Sequence, residues 1–215
     1  MPSHPRAAVV ALALTLAVAG CGSTTTPTSL ESTAAPAGPP STNALSAPAA
    51  QAQLFAFPDG RTSFRHPAGW TVDLVHAPEG GTATATVASP DGALKLAVFV
   101  GRITDAVTGP VTRTVLDEAP VPGLAQQPAP AAHYAFYLDD GAGLHSYHLR
   151  LVAGSPDGGE AMALDGIIRT ETGILLAEVQ FAQSPAFQTT DAARAWLASA
   201  QGQQVRAMLL SISYA

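Results

Sequence analysis

The tetrapeptide Ser89-Pro90-Asp91-Gly92 stands between "GTATATVA", Gly81 to Ala88, and "ALKLAVFV", Ala93 to Val100. Proline presets the second position of a β-turn and glycine suits the fourth, so the chain reverses here. The first run alternates small and hydroxyl residues and the second is apolar nearly throughout, as expected of a half-buried and a buried strand. Together they predict an antiparallel hairpin. The same tetrapeptide returns as Ser155-Pro156-Asp157-Gly158 between "LHSYHLRLVA" and "EAMALDGIIR", where it predicts a second reversal. The flanking strands do not match, so the repetition is shared turn chemistry and not an internal repeat. Asp139-Asp140-Gly141-Ala142 divides "HYAFYL" from the run at Leu144, and "GILLAEVQFAQ" follows a turn at Thr170 to Thr172.

Helix signals are confined to the C-terminus. Thr190 is placed to cap "DAARAWLAS", with Asp191 in the first turn where the helix dipole favours an acid. Ala193, Trp196 and Leu197 fall on one side of it, and Trp196 is assigned to the buried side. A second helical stretch, Gln203 to Ser211, sets Val205, Met208 and Leu209 at i, i+3 and i+4. Strands first and helices last predict an α+β domain, an antiparallel sheet layered with helices, over residues 53–215.

Ahead of this domain the composition changes. From Gly22 to Ala52 the 31 residues hold five prolines, one charge and no aromatic side chain. Such a segment has too little to bury to offset its ordering entropy and is expected to be a disordered, flexible tether. Residues 1–20 carry Arg6 and then an apolar run from Ala7 to Ala19, the length of a signal-peptide core and short of the about 20 residues that span a bilayer. The run ends Val18-Ala19-Gly20-Cys21, and Cys21 is the only cysteine of the chain. This junction resembles the lipobox of bacterial lipoproteins. The resemblance implies cleavage before Cys21, attachment of a diacylglyceryl group to its sulfur, and a place on the outer face of the cytoplasmic membrane. An ordinary secretory site at Ala17-Val18-Ala19, with Cys21 a free thiol, is the alternative. Two acyl chains, at about 0.8 kcal/mol per buried methylene, would anchor the protein stably. No intramolecular disulfide is available to the domain, which must be held by its core.

At the front of the domain "TSFRHPAGWTVDL" places Phe64, Pro67, Gly69, Trp70 and Val72 in a pattern that resembles the opening of PsbP-like domains and of the LpqN/LpqT type of actinobacterial lipoproteins. These combine a signal, a lipobox and a Pro/Ser/Thr tether in the same order. The resemblance implies a PsbP-like α+β fold without catalytic machinery. Read by residue type alone, Pro67-Ala68-Gly69 is a turn between two strands and Trp70 is a core residue.

The chemistry of other classes is not indicated. The net charge is −6, and the ten Lys and Arg residues form no run, so the footprint of a nucleic-acid binder is missing. There is no Gly-x-Ser-x-Gly elbow, no phosphate loop and no catalytic cysteine, and no cofactor is implied. Asp139 to Gly143 lacks the alternating ligands of a calcium loop and reads as a hairpin turn. Asp117-Glu118 reads as a solvated pair. His145 and His148 are spaced for a helical metal site, yet on a strand three-residue spacing sends them to opposite faces. His66 and His76 each precede a turn and are expected to be exposed in loops.

One face of the predicted hairpin from His133 to Ala153 is the candidate site. If Leu138 pairs with Gly143 across a four-residue turn, Tyr134, Phe136, His145, Tyr147, Leu149 and Leu151 share an apolar face. The other face carries His133, Tyr137, Ser146, His148 and Arg150, with His133 directly opposite His148. Glu178, alternating away from Leu175, Val179 and Phe181, joins them if its strand is adjacent. His133, Tyr137, His148, Arg150 and Glu178 are therefore the expected binding face, a polar recognition patch, with zinc held by the two imidazoles and the carboxylate as the lesser reading. The expected function is a non-catalytic binding domain for an envelope protein or glycolipid. The alternative is a carrier holding a lipid or glycolipid between sheet and helices, and an unrecognised hydrolase is a distant third.

Overall fold

The structure, a computed structural model, describes residues 52–77, 79, 81–102, 109–125, 130–141 and 143–215. The signal segment, Cys21 and the tether through residue 51 lie outside the described residues. The described residues belong to one unit, Ser46–Ala215, and are mostly antiparallel sheet with two helices, in agreement with the α+β expectation. Among them no helix is long and apolar enough to cross a membrane.

Twelve strands form among the described residues: β1 (Gln53–Ala56), β2 (Thr62–His66), β3 (Thr71–Ala77), β4 (Thr82–Ala88), β5 (Leu94–Gly101), β6 (Pro110–Pro120), β7 (Ala132–Gly141), β8 (Leu144–Ala153), β9 (Gly159–Met162), β10 (Ile168–Arg169), β11 (Ile174–Phe181) and β12 (Ser213–Tyr214). The helices α1 (Thr190–Ala198) and α2 (Ala200–Leu210) precede β12. The large sheet runs β3-β4-β5-β11-β8-β7-β6-β9, with β10 also on β11, and a small sheet runs β1-β2-β12. The chain thus ends on a strand, and not on helices as the order of signals suggested.

The first hairpin forms as expected. The Gly92 amide donates to the Ser89 carbonyl at 2.8 Å, and Gly92 takes a φ of +70°. The second Ser-Pro-Asp-Gly does not make a hairpin, because β8 and β9 do not pair; β9 pairs with β6. Residues 155–157 have no regular or turn conformation, and the segment carries the chain past β7 and β6 to the sheet edge. A turn sequence closes a hairpin only when its flanking strands have matching free edges, and the second edge of β8 faces β11.

Strand β6, whose sequence PVTRTVLDEAP lacks a regular polar/apolar alternation and is bounded by two prolines, was not anticipated. Its register shifts between Val115 and Asp117, a bulge that moves Asp117 to the opposite face from Val115. Asp117 and Glu118 are solvated in part, Glu118 being exposed, and each also has a partner: Asp117 accepts from Arg206 of α2 at 3.0 Å, and Glu118 accepts from Ser155 at 2.6 Å. His66 is buried at the end of β2, and His76 is exposed on β3, so neither is a loop residue. Pro67 to Gly69 do form the turn between β2 and β3, Gly69 at φ +85°, and Trp70 is core.

Both helices start one or more residues earlier than the sequence signals placed them. Thr189, not Thr190, caps α1, accepting from the Ala192 amide at 3.1 Å, and Ser199 caps α2, accepting from the Gly202 amide at 3.2 Å. Gly202 is required here, since a Cβ would collide with the backbone of Trp196 and Leu197 where the helices meet. The helices cover one face of the large sheet. Between them and the strands lie Phe136, Tyr147, Phe181, Phe187 and Trp196, with ring centroids 5.2 to 6.4 Å apart. Trp196 is partly buried and not fully enclosed.

Candidate functional site

The hairpin β7–β8 has the predicted faces but not the predicted pairing. Gly141 pairs with Leu144, so only two positions of the sequence separate the strands, Gly143 has a φ of +77°, and Asp139 and Asp140 are strand residues. Relative to the expected register the strands slide by four residues. An even slide preserves the alternation, and hence the apolar set, but it changes every partner. His133 lies opposite Val152, and His148 lies opposite Tyr137.

The expected juxtaposition of His133 and His148 is therefore corrected. Four residues at about 3.3 Å each set their strand positions about 13 Å apart. His133 is beside Glu118, 3.7 Å from Nδ1 to Oε2. A zinc site shared by His133, His148 and Glu178 does not form, and among the described residues no group of three His, Cys, Asp or Glu side chains is placed to hold a metal ion. His145 and His148 occupy opposite faces as expected.

The other four candidates do come together. Glu178 on β11 is the direct partner of Arg150 on β8, the one ladder pair between these strands among the described residues. The Glu178 carboxylate lies 2.9 Å from Nδ1 of His148. The His148 ring stacks on Tyr137 with centroids 5.2 Å apart. Burial works to raise the Glu178 carboxyl, but the His148 hydrogen bond and the positive fields of Arg150 and His148 outweigh it and hold the group below its ordinary range. Tyr137 is fully buried, and burial pushes its hydroxyl up despite the nearby Arg150 and Arg113.

Two buried arginines, Arg150 within this cluster and Arg113 beside it, are treated very differently. Arg113, unnoticed in the sequence, forms a bidentate pair with Asp139 at 2.8 and 2.9 Å, a bond to Asp165 at 2.7 Å and one to the Met162 carbonyl at 3.2 Å. Its guanidinium lies 4.1 Å over the Tyr137 ring. The segment from Ala163 to Gly166, crossing from β9 to β10, is thereby strapped over the sheet; the Ala153 amide donates to the Gly166 carbonyl at 2.7 Å. A signal for Arg113 was present: Val111, Arg113 and Val115 share a face, so a charge stands at an apolar position. Arg150 is 4% exposed, and its Nε and Nη1, like the hydroxyl of Tyr137, are buried without a hydrogen-bond partner.

Beyond the Glu178–Arg150 pair the two strands part. A cleft of about 270 Å³ opens between Ser146 to His148 of β8 and Glu178 to Phe181 of β11, closed at one end by residues 183–186. His148 and Glu178 reach it with side chains 19% and 39% exposed. The chain matches no family model, no curated protein and no solved structure. Its function must be read from this geometry.

Proposed function

We propose that the protein is an extracytoplasmic lipoprotein, held on the outer face of the cytoplasmic membrane through Cys21, whose β-rich domain is a non-catalytic binding module for a cell-envelope component. The observation that carries the reading is the gathering of Tyr137, His148, Arg150 and Glu178 at the join between β8 and β11, where a polar cleft reaches the surface. A carrier would need continuous apolar space between sheet and helices, and there the aromatic cluster of Phe136, Tyr147, Phe181, Phe187 and Trp196 is packed ring to ring. That packing favours the binding module over the carrier. The PsbP-like assignment rests on the Pro-Ala-Gly-Trp opening and on the α+β layering.

The test is crosslinking in the native envelope. Wild type and His133→Ala should capture the same component, whereas His148→Ala should capture less of it while folding normally. Equal capture by all three would remove the candidate face. The anchor is tested separately: Cys21→Ala should lose detergent-phase partitioning, and equal partitioning of mutant and wild type would refute lipidation.

A further inference from the structure

The cleft between β8 and β11 has a composition that narrows its ligand. Ser146, Gln180, Gln183 and Ser184 line it, and none of these side chains hydrogen-bonds to another of the described residues. Glu178 offers carboxylate oxygens at the mouth, and the half-buried ring of Phe181 supplies an apolar wall. Behind them, and not lining the cleft, lie the buried guanidinium of Arg150 and hydroxyl of Tyr137. The one carboxylate at the cleft is offset by the guanidinium behind it, so the cleft has little net charge to attract an ion of either sign.

Donors and acceptors so mixed within a few ångströms are matched by groups that both donate and accept. Hydroxyls do this, whereas carboxylates and phosphates only accept and ammonium groups only donate. A volume of about 270 Å³ falls just below the roughly 300–1,000 Å³ usual for small-molecule sites, which limits the ligand to a single ring. From this geometry we infer that the β8–β11 cleft binds one sugar ring of an envelope saccharide, its hydroxyls on Glu178, Gln180 and Gln183 and its apolar edge on Phe181. This rests on the reading of the domain as a binding module and names the ligand class of the same site.

The experiment is saturation-transfer NMR on the full chain in a detergent without a sugar headgroup. The probes are glucose, mannose, N-acetylglucosamine and maltose, with an extended Val/Thr pentapeptide as a separate arm. So small a contact supports dissociation constants on the order of 1 mM, so each probe is used at roughly ten times that. Wild type should transfer saturation to the ring protons of at least one sugar. Gln180→Ala combined with Gln183→Ala, both exposed and without a hydrogen bond to another described residue, should weaken that binding at least tenfold without changing the melting temperature, and His133→Ala should leave it unchanged. No transfer to any sugar, or equal transfer to wild type and the double variant, overturns the inference. Transfer to the peptide alone also overturns it and assigns the cleft to a protein partner. The envelope crosslinking separates the two failures: capture that depends on His148 without sugar binding sinks the saccharide and leaves the binding module standing.

Discussion

The large sheet has two halves that achieve burial in different ways. In β4-β5-β11 the inward positions are apolar: Ala83, Ala85 and Val87 face Val100, Val98 and Leu96, which in turn face Leu175, Ala177 and Val179. The outward positions mix threonine and alanine with Phe99, Ile174 and Leu176 and the polar Lys95, Glu178 and Gln180. In the second half, β8-β7-β6-β9, the middle of β7 and the end of β8 are buried on both faces, one by the helices and the other by a polar assembly of Arg113, Asp139, Tyr137 and Arg150 beneath the strap. The first half is held by area removed from water and tolerates imprecise partners. The second depends on donors meeting acceptors, so the loss of one group strands another. The candidate site lies where the two halves meet, at the Glu178–Arg150 ladder pair.

The contrast is sharpest at Asp139. Asp139→Ala leaves Arg113, with a side chain only 2% exposed, without its bidentate partner, and should lower stability by about 3–5 kcal/mol in denaturant unfolding. Replacing both partners by apolar residues, Arg113→Met with Asp139→Leu, should recover most of that loss; if it does not, the strap itself depends on the pair. In the other half, Leu96→Ala should cost about 2–5 kcal/mol through lost transfer energy and the cavity left, with no rescue from any polar partner. A double-mutant cycle between Leu96→Ala and Asp139→Ala should be additive to about 0.5 kcal/mol if the halves are independent.

Smaller effects probe the join and the helix cover. Trp196→Ala should cost about 2–3 kcal/mol, below the range for a fully enclosed tryptophan because the ring is partly exposed; an unchanged melting temperature would mean that α1 does not rely on the aromatic cluster. The smallest effect concerns Glu178. Its carboxyl is held below the ordinary value of 4.5, so folding favours the ionised form and gains stability from it above that pH. The gain is lost as the pH falls through the lowered value. Wild type should therefore exceed Glu178→Gln in melting temperature near neutrality and converge with it in acid. A constant difference across pH would show that the carboxylate charge is not what the join uses.

Strand periodicity, the first turn and the C-terminal helices were legible because each is a local property. The alternation in residues 133–153 assigned every side chain of the hairpin to its face, and this survived a register error of four residues because side chains repeat every two. The partners did not survive it. Whether the turn takes four residues or two depends on Asp139, and Asp139 belongs to the strand because Arg113, on a neighbouring strand, holds it there. Local sequence carries no record of that.

The same limit explains the two copies of Ser-Pro-Asp-Gly. Between strands that can pair with each other the tetrapeptide closes a turn; between β8, whose free edge meets β11, and β9, which completes the far edge, it becomes an extended link. Sequence alone determined that the chain alternates toward antiparallel sheet, that helices close one side and that a polar set including His148 and Arg150 shares the other. Only the tertiary structure decided that His133 stands apart, that Arg113 is satisfied while Arg150 is not, and that β8 and β11 part to form a cleft. These outcomes follow from strands far apart in sequence competing for the same edges, where hydrogen bonds and burial are settled by the whole sheet at once.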